Sequence, residues 1–512
     1  MARPLQSVRF PMPIDGVVKD VHPNDLPPTS LRDAENWIFR DAVFQVRPGV
    51  SSFSSDVNQR PMTFIQYPFT SGTTKLVMGT DDAWWKYNDA TGNWDDLAGG
   101  VPLTGITTDF IAFRVFNKAG ATYLLGINGA DVLKKWDGVA AAYSSAGGSP
   151  PKAKCMSVAF DRVLLGHLLS GGTISPQAVD VSARLDFDSG WGATQTTILA
   201  DTPGSIVAMQ EMGSLQTAIY KTDAVHVAIA QGALAPFRFE LRAAGIAGPA
   251  ALNALVPISD SLHVWLGNDG SLMQFDGVNV KPLSRNFQMH VLATADVTNL
   301  TKAYGVWDAE RSELLFMYPE VGSLEPNLGV FVSVPSMAIW PIRFATLRFS
   351  AATKIRIPSA VIIDEIVGTY GDQTQTLGDY GSTTFRQLVF GEIGGQNYKD
   401  TATTDNAAAI SNFFETGLSD GGSFSWKTFH EMDHLFRKIA QSQTVTTKIG
   451  YADAGEDRTL TAGVDLDIAA AGARLTGHRV TARRFSARIE SLASQPISWQ
   501  GAQAAVTVRG TR

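Results

Sequence analysis

Short apolar runs that end in glycine recur along the chain from about residue 60. They end at Gly79 (LVMG), Gly126 (YLLG), Gly166 (VLLG) and Gly267 (VWLG), and two runs without the glycine end at Lys221 (IYK) and Met317 (LFM). A polar turn and an aromatic-rich segment follow the run in the clearest copies. Apolar runs of this length between turn residues predict short β-strands.

These runs return at nearly fixed intervals of 47, 40, 55, 46 and 50 residues. The following segments place Tyr87, Trp136 and Phe275 at equivalent positions, and Asp137-Gly138 and Asp276-Gly277 make the same turn. A period of this length that contains several short strands is typical of propeller blades with four antiparallel strands. The pattern therefore predicts an all-β fold with a β-propeller. A pair of β-sandwiches is the alternative, although it would not need such a repeat.

The number of blades depends on the last part of the repeat. The segment TYGDQTQTLGDYGS (369 to 382) has the composition of an insertion, and LVFG, which ends at Gly391, is another copy of the run. Six or seven blades fit residues 56–405. The tryptophans of the strands, Trp84, Trp85, Trp136 and Trp265, are expected to pack in the core.

Two regions that do not repeat flank the predicted propeller. Residues 1–55 are rich in proline and predict an extended arm that packs on a neighbour, with one short helix from Leu31 to Trp37. Ser30 is the expected N-cap of this helix, and Arg47-Pro48-Gly49 supplies a turn. Residues 406–512 alternate apolar and polar positions differently and predict a C-terminal β-sandwich-like domain.

Composition narrows the class of protein. Hydrophobic residues make up 44% and charged residues 18%. The mild net charge of −7 gives the molecule no overall field that would recruit nucleic acid. Cys155 is the only cysteine, which excludes an internal disulfide and multi-cysteine metal sites, and we expect it to be a buried core residue. No secretory signal or apolar stretch of about 18 residues is present, so we expect folding in a cytoplasm and no membrane-spanning segment.

One short motif matches a metal site. His430-Glu431-Met432-Asp433-His434 fits H-E-x-x-H, in which two histidines on one face of a helix bind Zn²⁺ and the glutamate activates water. The motif lies among strand-like segments, where His430 and His434 would share a face and Glu431 would point to the other. A zinc hydrolase that uses His430, Glu431 and His434 is therefore a remote alternative.

Other catalytic patterns are missing from the sequence. Acidic pairs such as Asp81-Asp82 lack the spacing of a calcium loop, and no phosphate-binding GxxxxGK[ST] or nucleophile GxSxG motif occurs. We therefore predict a non-enzymatic protein, with no catalytic, cofactor-binding or metal-binding residues.

Arginines are concentrated near the end of the chain. Residues 474 to 512 include Arg474, Arg479, Arg483, Arg484 and Arg488, with Glu490 as the single acid. Strand alternation in RVTARRFSARIE would place Arg479 and Arg483 on one face and Arg484 and Arg488 on the other. The five arginines are candidate contacts to another subunit, or to DNA phosphates.

The order of the parts along the chain carries a family resemblance. The lead segment ends in ENWIFRDAVFQVRPGVSSF, the repeats follow with ADTPGSIVAMQEMGSLQTAIYKTDAVHVA among them, and the chain finishes with WQGAQAAVTVRG. This order resembles tail proteins of tailed bacteriophages, and more closely the tail nozzle proteins of short-tailed phages, which are similar to the family that stabilises packaged DNA. Arg47-Pro48-Gly49 and Asp223 carry the match best.

The resemblance implies a structural virion component. It implies a homo-hexameric ring at the distal end of the tail channel, which retains packaged DNA and opens for ejection, without catalysis or cofactors. The implied partners are the tail adaptor or head-to-tail connector protein, tail fibre or tip proteins, and channel DNA held without sequence recognition. The implied location is the virion tail, after assembly in the host bacterial cytoplasm. A receptor- or glycan-binding propeller of a tail hub or tail tip is the alternative function.

Overall fold

The computed structural model describes most of the chain. The described residues are 5–68, 74–170, 172–192, 195–232, 236–358, 384–421, 425–437, 442–453, 458–468 and 473–510. The fold is all-β, and its described α-helix, α1, is Arg285–Thr294. Short 3-10 helices span Pro23–Asp25, Leu252–Ala254 and Val297–Lys302. None of the described helices has the length and apolar character needed to cross a bilayer. The segment 369 to 382, predicted to be an insertion, lies outside the described residues.

The repeat of the sequence corresponds to seven four-stranded antiparallel sheets, an arrangement consistent with propeller blades. Sheet 1 contains β6 (Pro61–Pro68), β7 (Thr74–Thr80), β8 (Trp84–Asn88) and β9 (Asn93–Asp96). Sheet 2 contains β10 (Ala112–Lys118), β11 (Ala121–Ile127), β12 (Lys134–Trp136) and β13 (Ser144–Ser145). Sheet 3 contains β14 (Lys152–Ala159), β15 (Arg162–Ser170), β16 (Thr173–Val181) and β17 (Thr197–Ile198).

The remaining sheets continue in chain order, except that the last one recruits a strand from the lead segment. Sheet 4 contains β18 (Ile206–Met212), β19 (Gln216–Lys221), β20 (Ala224–Ala230) and β21 (Phe237–Ala244). Sheet 5 contains β22 (Leu255–Ser259), β23 (Leu262–Leu266), β24 (Leu272–Phe275) and β25 (Val280–Ser284). Sheet 6 contains β26 (Tyr304–Asp308), β27 (Glu313–Pro319), β28 (Pro326–Ser333) and β29 (Ile339–Arg343). Sheet 7 contains β30 (Phe349–Pro358), β31 (Thr384–Glu392), β32 (Asn397–Ala402) and β5 (Gly49–Ser52).

The apolar runs form the second strand of every sheet, and the glycines at 79, 126, 166 and 391 allow neighbouring sheets to pack closely. A Cβ atom added at Gly126 of sheet 2 would lie 2.3 Å from Trp84 Cζ2 of sheet 1. A Cβ atom added at Gly391 of sheet 7 would lie 2.5 Å from Pro61 Cβ of sheet 1. A side chain of any size would therefore push the sheets apart, which is why glycine recurs at this position.

In sheets 4 and 6 the apolar run does not end in glycine, and the packing at this position differs. Lys221 of sheet 4 is fully buried, and its Nζ atom donates hydrogen bonds to the backbone oxygens of Leu199 and Thr202 at 2.8 and 2.5 Å. In sheet 6 the glycine stands on the neighbouring strand, because a Cβ atom added at Gly329 would lie 2.3 Å from Met317 Sδ.

Gly126→Ala is expected to destabilise the protein by about 1–3 kcal/mol, the usual cost of overpacking a core. The new methyl group has no space beside the Trp84 ring, which is itself buried. Urea unfolding followed by tryptophan fluorescence measures this loss. Gly477→Ala is the matched control, because an added Cβ atom there has no neighbour within 4 Å. Equal stability of the two variants would contradict the packing role of Gly126.

Both ends of the chain fold together into a second structure, which we call the terminal module. Its first six-stranded sheet contains β1 (Leu5–Phe10), β3 (Trp37–Arg40), β4 (Val43–Val46), β34 (Trp426–Phe436), β38 (Ala473–Ala482) and β40 (Ser498–Gly510). Its second contains β2 (Leu31–Glu35), β33 (Ile410–Thr416), β35 (Thr444–Ala452), β36 (Thr459–Leu460), β37 (Val464–Asp467) and β39 (Arg484–Ala493). The two sheets share a hydrophobic core that includes Phe44, Phe414, Ile489 and Trp499.

The predicted helix from Leu31 to Trp37 is wrong. These residues form β2 and the start of β3, because pairing of β2 with β33 prevails over local helix propensity. Asn36, with φ of 63°, lies between them in the left-handed region and carries the chain from one sheet to the other. Ser30, the predicted N-cap, is buried before β2. The lead segment is therefore part of the chain's own sheets, and β5 pairs with β32 across the predicted boundary at residue 55.

Candidate functional site

The first strands of all seven sheets line one central cavity of about 880 Å³. Each first strand begins its sheet and is hydrogen-bonded on one side only, which leaves its free edge toward the cavity. Because they occupy equivalent places in the repeat, the seven inner strands run in the same direction. The cavity therefore has one end at the strand starts and another at the strand ends.

The 3-10 helix Leu252–Ala254 lies at the end of the cavity where the strands start. Leu252 packs against buried residues of sheets 2 to 5. The Asn253 side-chain amide donates a 2.9 Å hydrogen bond to the backbone oxygen of Met62, at the start of β6. We call the cavity the cup, this end its floor and the opposite end its mouth.

Arg114 holds the wall of the cup together. Its Nη2 atom donates to the backbone oxygen of Met209 and to Gln210 Oε1, both at 2.8 Å, and its Nε atom lies 3.3 Å from Glu211 Oε1. The same Glu211 oxygen accepts a 3.1 Å hydrogen bond from the backbone of Val158. A residue of sheet 2 is thus joined to sheet 4 across sheet 3, which fixes the positions of Gln210 and Glu211.

A buried pair, His263 and Tyr220, is hydrogen-bonded to the backbone of this wall. His263 Nε2 lies 3.0 Å from the backbone oxygen of Glu211, and His263 Nδ1 lies 2.7 Å from the Tyr220 hydroxyl. Burial lowers the pKa of His263 to about 4, so the ring is neutral at pH 7. Burial also raises the pKa of Tyr220 well above its usual value. Both groups are neutral and serve as hydrogen-bond supports for the backbone of β18.

Aromatic and charged groups lie toward the open mouth of the cup. Trp307, near the end of β26, is half-buried and lines the cavity together with Asp260 and Lys354. Lys354 pairs with Asp308. Burial pushes the pKa of Asp308 upward, but the hydrogen bond and charge of Lys354 outweigh it, and the pKa lies below its usual value. The ammonium charge of Lys354 is therefore neutralised within the wall.

Arg47, from the Arg47-Pro48-Gly49 motif, is the centre of the junction between the terminal module and the four-stranded sheets. Its side chain is 2% exposed, and its Nη1 atom donates to Asp405 Oδ1 at 2.9 Å while Nη2 donates to Asp405 Oδ2. The Nε atom donates to Asn36 Oδ1 at 2.8 Å, and backbone oxygens of Pro48 and Arg343 accept the other two bonds at 3.0 Å. All five donors of the guanidinium are used, so the motif is a structural fastening between β4 and β5 and not the predicted turn.

Arg40 provides a second fastening. It pairs with Glu313 of sheet 6, with side chains 8% and 6% exposed and a closest distance of 2.7 Å. The guanidinium also lies 4.4 Å from the centre of the Phe331 ring. Because β3 belongs to the terminal module, this buried pair joins the module directly to sheet 6.

The five predicted arginine contacts do not form one patch. RVTARRFSARIE divides between β38 and β39, which belong to different sheets, so Arg479 and Arg483 do not share a strand face as predicted. Arg479 is exposed on β38, and the Arg483 guanidinium lies 5.6 Å from the Trp426 ring centre. Arg484 begins β39 and is half-buried. The side chain of Arg474 lies outside the described residues.

Arg488 serves an internal ion cluster. Its Nε atom donates to Glu490 Oε1 at 2.5 Å, and its Nη1 atom lies 3.5 Å from Oε2 of the fully buried Glu415. Arg458 also pairs with Glu415, and Lys448 pairs with Glu490 at 2.6 Å. Arg488, which strand alternation had placed on a contact face, is therefore engaged in ion pairs within the protein. Arg479 is then the best exposed candidate for an external contact among the five arginines.

The H-E-x-x-H segment is strand β34, not a helix, and a register shift between Phe429 and Glu431 breaks its alternation. His430 Nε2 lies 2.8 Å from Thr507 Oγ1. His434 is 1% exposed, beside the ring of Phe436, and neither of its ring nitrogens has a hydrogen-bond partner among the described residues. Within the described ranges no group of three potential metal ligands forms. The geometry that a zinc hydrolase requires is therefore not present at this motif.

Several predicted core residues lie where expected, whereas the cavity residues were not predicted. Trp84, Trp136, Trp265 and Cys155 are buried, and Trp85 is half-buried. Residues such as Arg114, Glu211 and Trp307 carry no local motif. The one available signal was their place on the strand that precedes an apolar run of the repeat.

Comparisons with known proteins leave the family open. No family model and no curated protein matches the chain. A solved structure, the extracellular domain of the hybrid two component system BT4673 from B. thetaiotaomicron, is 9% identical, with a TM-score of 0.44 over 81% of this chain and 47% of that one. The chain spans about half the length of that structure.

Proposed function

We propose that the seven four-stranded sheets form a seven-bladed β-propeller and that the protein is a structural virion component. In this proposal it is a subunit of the nozzle ring of a short-tailed phage. The ring retains packaged DNA at the distal end of the tail channel and opens for ejection. The resemblance in the order of the chain's parts suggests this role, and the following features support it.

The observation that carries the proposal is that both ends of the chain fold together. Strands β1 to β4 and β33 to β40 form the terminal module, and β5 completes sheet 7. The buried pairs Arg47–Asp405 and Arg40–Glu313 then fasten the module to the propeller. A subunit that resists the pressure of packaged DNA needs two modules that move as one body, and interlocked ends with buried ion pairs provide this.

Charge supports a channel role without DNA binding. With a net charge of −7, the protein as a whole repels DNA weakly, so a channel lined by such subunits would let DNA pass during ejection. Arg479, exposed on β38, is then better suited to a contact with an acidic surface of the next subunit.

Closed rings are the expected result when the purified protein is mixed with the adaptor ring of its own virion and viewed by negative-stain electron microscopy. Arg479→Glu should lower the fraction of rings several-fold, because it reverses the charge at the proposed contact. Arg184→Glu, at an exposed site on sheet 3, is the matched control. Monomers or trimers from the wild-type protein would refute the nozzle role, whereas normal rings from Arg479→Glu would refute only the arginine contact.

A further inference from the structure

The central cup has the size and shape of a small-molecule site. Its volume of about 880 Å³ lies within the roughly 300–1,000 Å³ typical of ligand pockets. The helix at Leu252 and Asn253 lies at one end, so the mouth is the expected entrance for a ligand. Nothing in the assembly role explains why the cup has polar walls.

The polar groups of the wall are held in place, and part of their hydrogen-bonding capacity is not used by these contacts. Gln210 uses Oε1 to accept from Arg114, which leaves its amide NH₂ group for a ligand. Glu211 uses Oε1 for Arg114 and the Val158 backbone, and these contacts do not involve Oε2. Because neighbouring sheets fix both side chains, binding would cost little ordering of the wall.

One aromatic side chain completes the site. Trp307 is half-buried at the wall and presents an amphipathic ring surface. Tyr304 also lines the cavity, but it lies three residues earlier on β26, so strand alternation points its ring to the other face of the strand, where it is buried in the hydrophobic core.

The charges of the lining select the kind of ligand. Arg114 and Lys354 balance Glu211 and Asp260, and Lys354 is already paired with Asp308. A polyanion such as a nucleic acid would find no excess positive charge here. A neutral ligand with many hydroxyl groups would match both the fixed polar groups and the aromatic surface.

We propose that the central cup binds a neutral oligosaccharide. The Trp307 ring is the stacking surface, and the side chains of Gln210 and Glu211 receive the sugar hydroxyl groups. This inference goes beyond the assembly role and does not depend on it, because the cup belongs to a single subunit.

The test is titration calorimetry of the full chain with free neutral tri- and tetrasaccharides of glucose, galactose, mannose and N-acetylglucosamine, after a screen of the same sugars attached to a surface. We expect at least one to bind with a Kd below about 1 mM. Trp307→Ala should weaken binding at least about tenfold, and Gln210→Ala should weaken it in the same direction. Trp426→Ala, at a half-buried tryptophan of the terminal module, should keep the wild-type affinity.

Each other outcome counts against the proposal. The proposal is overturned if none of these sugars binds, or if both Trp307→Ala and Gln210→Ala keep the wild-type affinity. A protein that forms rings but binds no sugar would defeat this inference and leave the nozzle proposal intact.

Discussion

Arg47→Ala is expected to destabilise the folded protein by roughly 3–5 kcal/mol, the cost of breaking a buried ion pair from one side. The substitution removes five hydrogen bonds at once and leaves the Asp405 carboxylate buried without its charged partner. It also removes the guanidinium that lies 4.1 Å from the centre of the Phe344 ring. Such a loss is a large share of the 5–15 kcal/mol that holds a typical domain folded.

Thermal and urea unfolding measure this effect, and Arg184→Ala is the matched control. Arg184 pairs with Asp161 at 3.0 Å, but both side chains are about half exposed, at 52% and 49%. An exposed pair contributes only about 0–1 kcal/mol, so the control should change stability little. Comparable losses from the two variants would mean that Arg47 is not a structural fastening.

Arg47→Lys separates charge from geometry. Lysine keeps the positive charge but cannot match the fork of bonds to Asp405 and Asn36. We therefore expect a stability between those of the wild type and Arg47→Ala. Wild-type stability of Arg47→Lys would show that charge alone is sufficient at this junction.

The sequence predicted the repeating sheets well because local residues control their contacts. Gly126 and Gly391 each stand where the neighbouring sheet approaches the backbone, so glycine marks the position in every copy that needs it. The run that ends at Gly391 is the seventh copy, which agrees with seven four-stranded sheets rather than six. Turn residues such as Gly138 and Gly277, with φ of 81° and 91°, mark equivalent turns for the same reason.

The terminal module could not be predicted in the same way, because its contacts join distant parts of the chain. Val8 of β1 pairs with Ala504 of β40, and Asp33 of β2 pairs with Glu415 of β33. The helix propensity of the lead segment is a local property, and these distant partners override it. The cup could not be predicted for a similar reason, since Arg114 on β10 and Glu211 on β18 meet only after the seven intervening strands, β11 to β17, have folded.

Acidification from pH 7 to pH 4.5 is expected to destabilise the protein strongly through its buried histidines. Burial lowers the pKa of His263 and His290 to about 4 and that of His434 to about 3. The unfolded chain takes up protons at these histidines below about pH 6.5, whereas the folded chain does not. Each therefore contributes stability that is present above pH 6.5 and lost as the pH falls toward its folded pKa, by about 1.4 kcal/mol per pH unit.

Some carboxyl groups oppose this loss, and others, such as Asp186 and Glu325 with lowered pKa values, add to it, so one histidine must be tested at a time. Burial raises the pKa of Glu35, Asp180 and Asp400, and these groups take up protons in the folded protein first, which favours the folded state as the pH falls. The change of the free energy of unfolding with pH is therefore a sum of contributions of opposite sign. A substitution at one buried histidine removes a single contribution and leaves the rest in place.

His434→Leu is the substitution with the clearest expected result. The ring has no hydrogen-bond partner among the described residues, so a leucine of similar size should be tolerated or even stabilising at pH 8. The free energy of unfolding of His434→Leu relative to the wild type should be about 2 kcal/mol higher at pH 5 than at pH 8. At pH 5 only the wild type bears the cost of keeping His434 neutral. Phe436→Leu, in the same core and without a titrating group, should change stability by the same amount at both pH values. If His434→Leu also shows no difference between pH 8 and pH 5, His434 does not titrate as its burial requires.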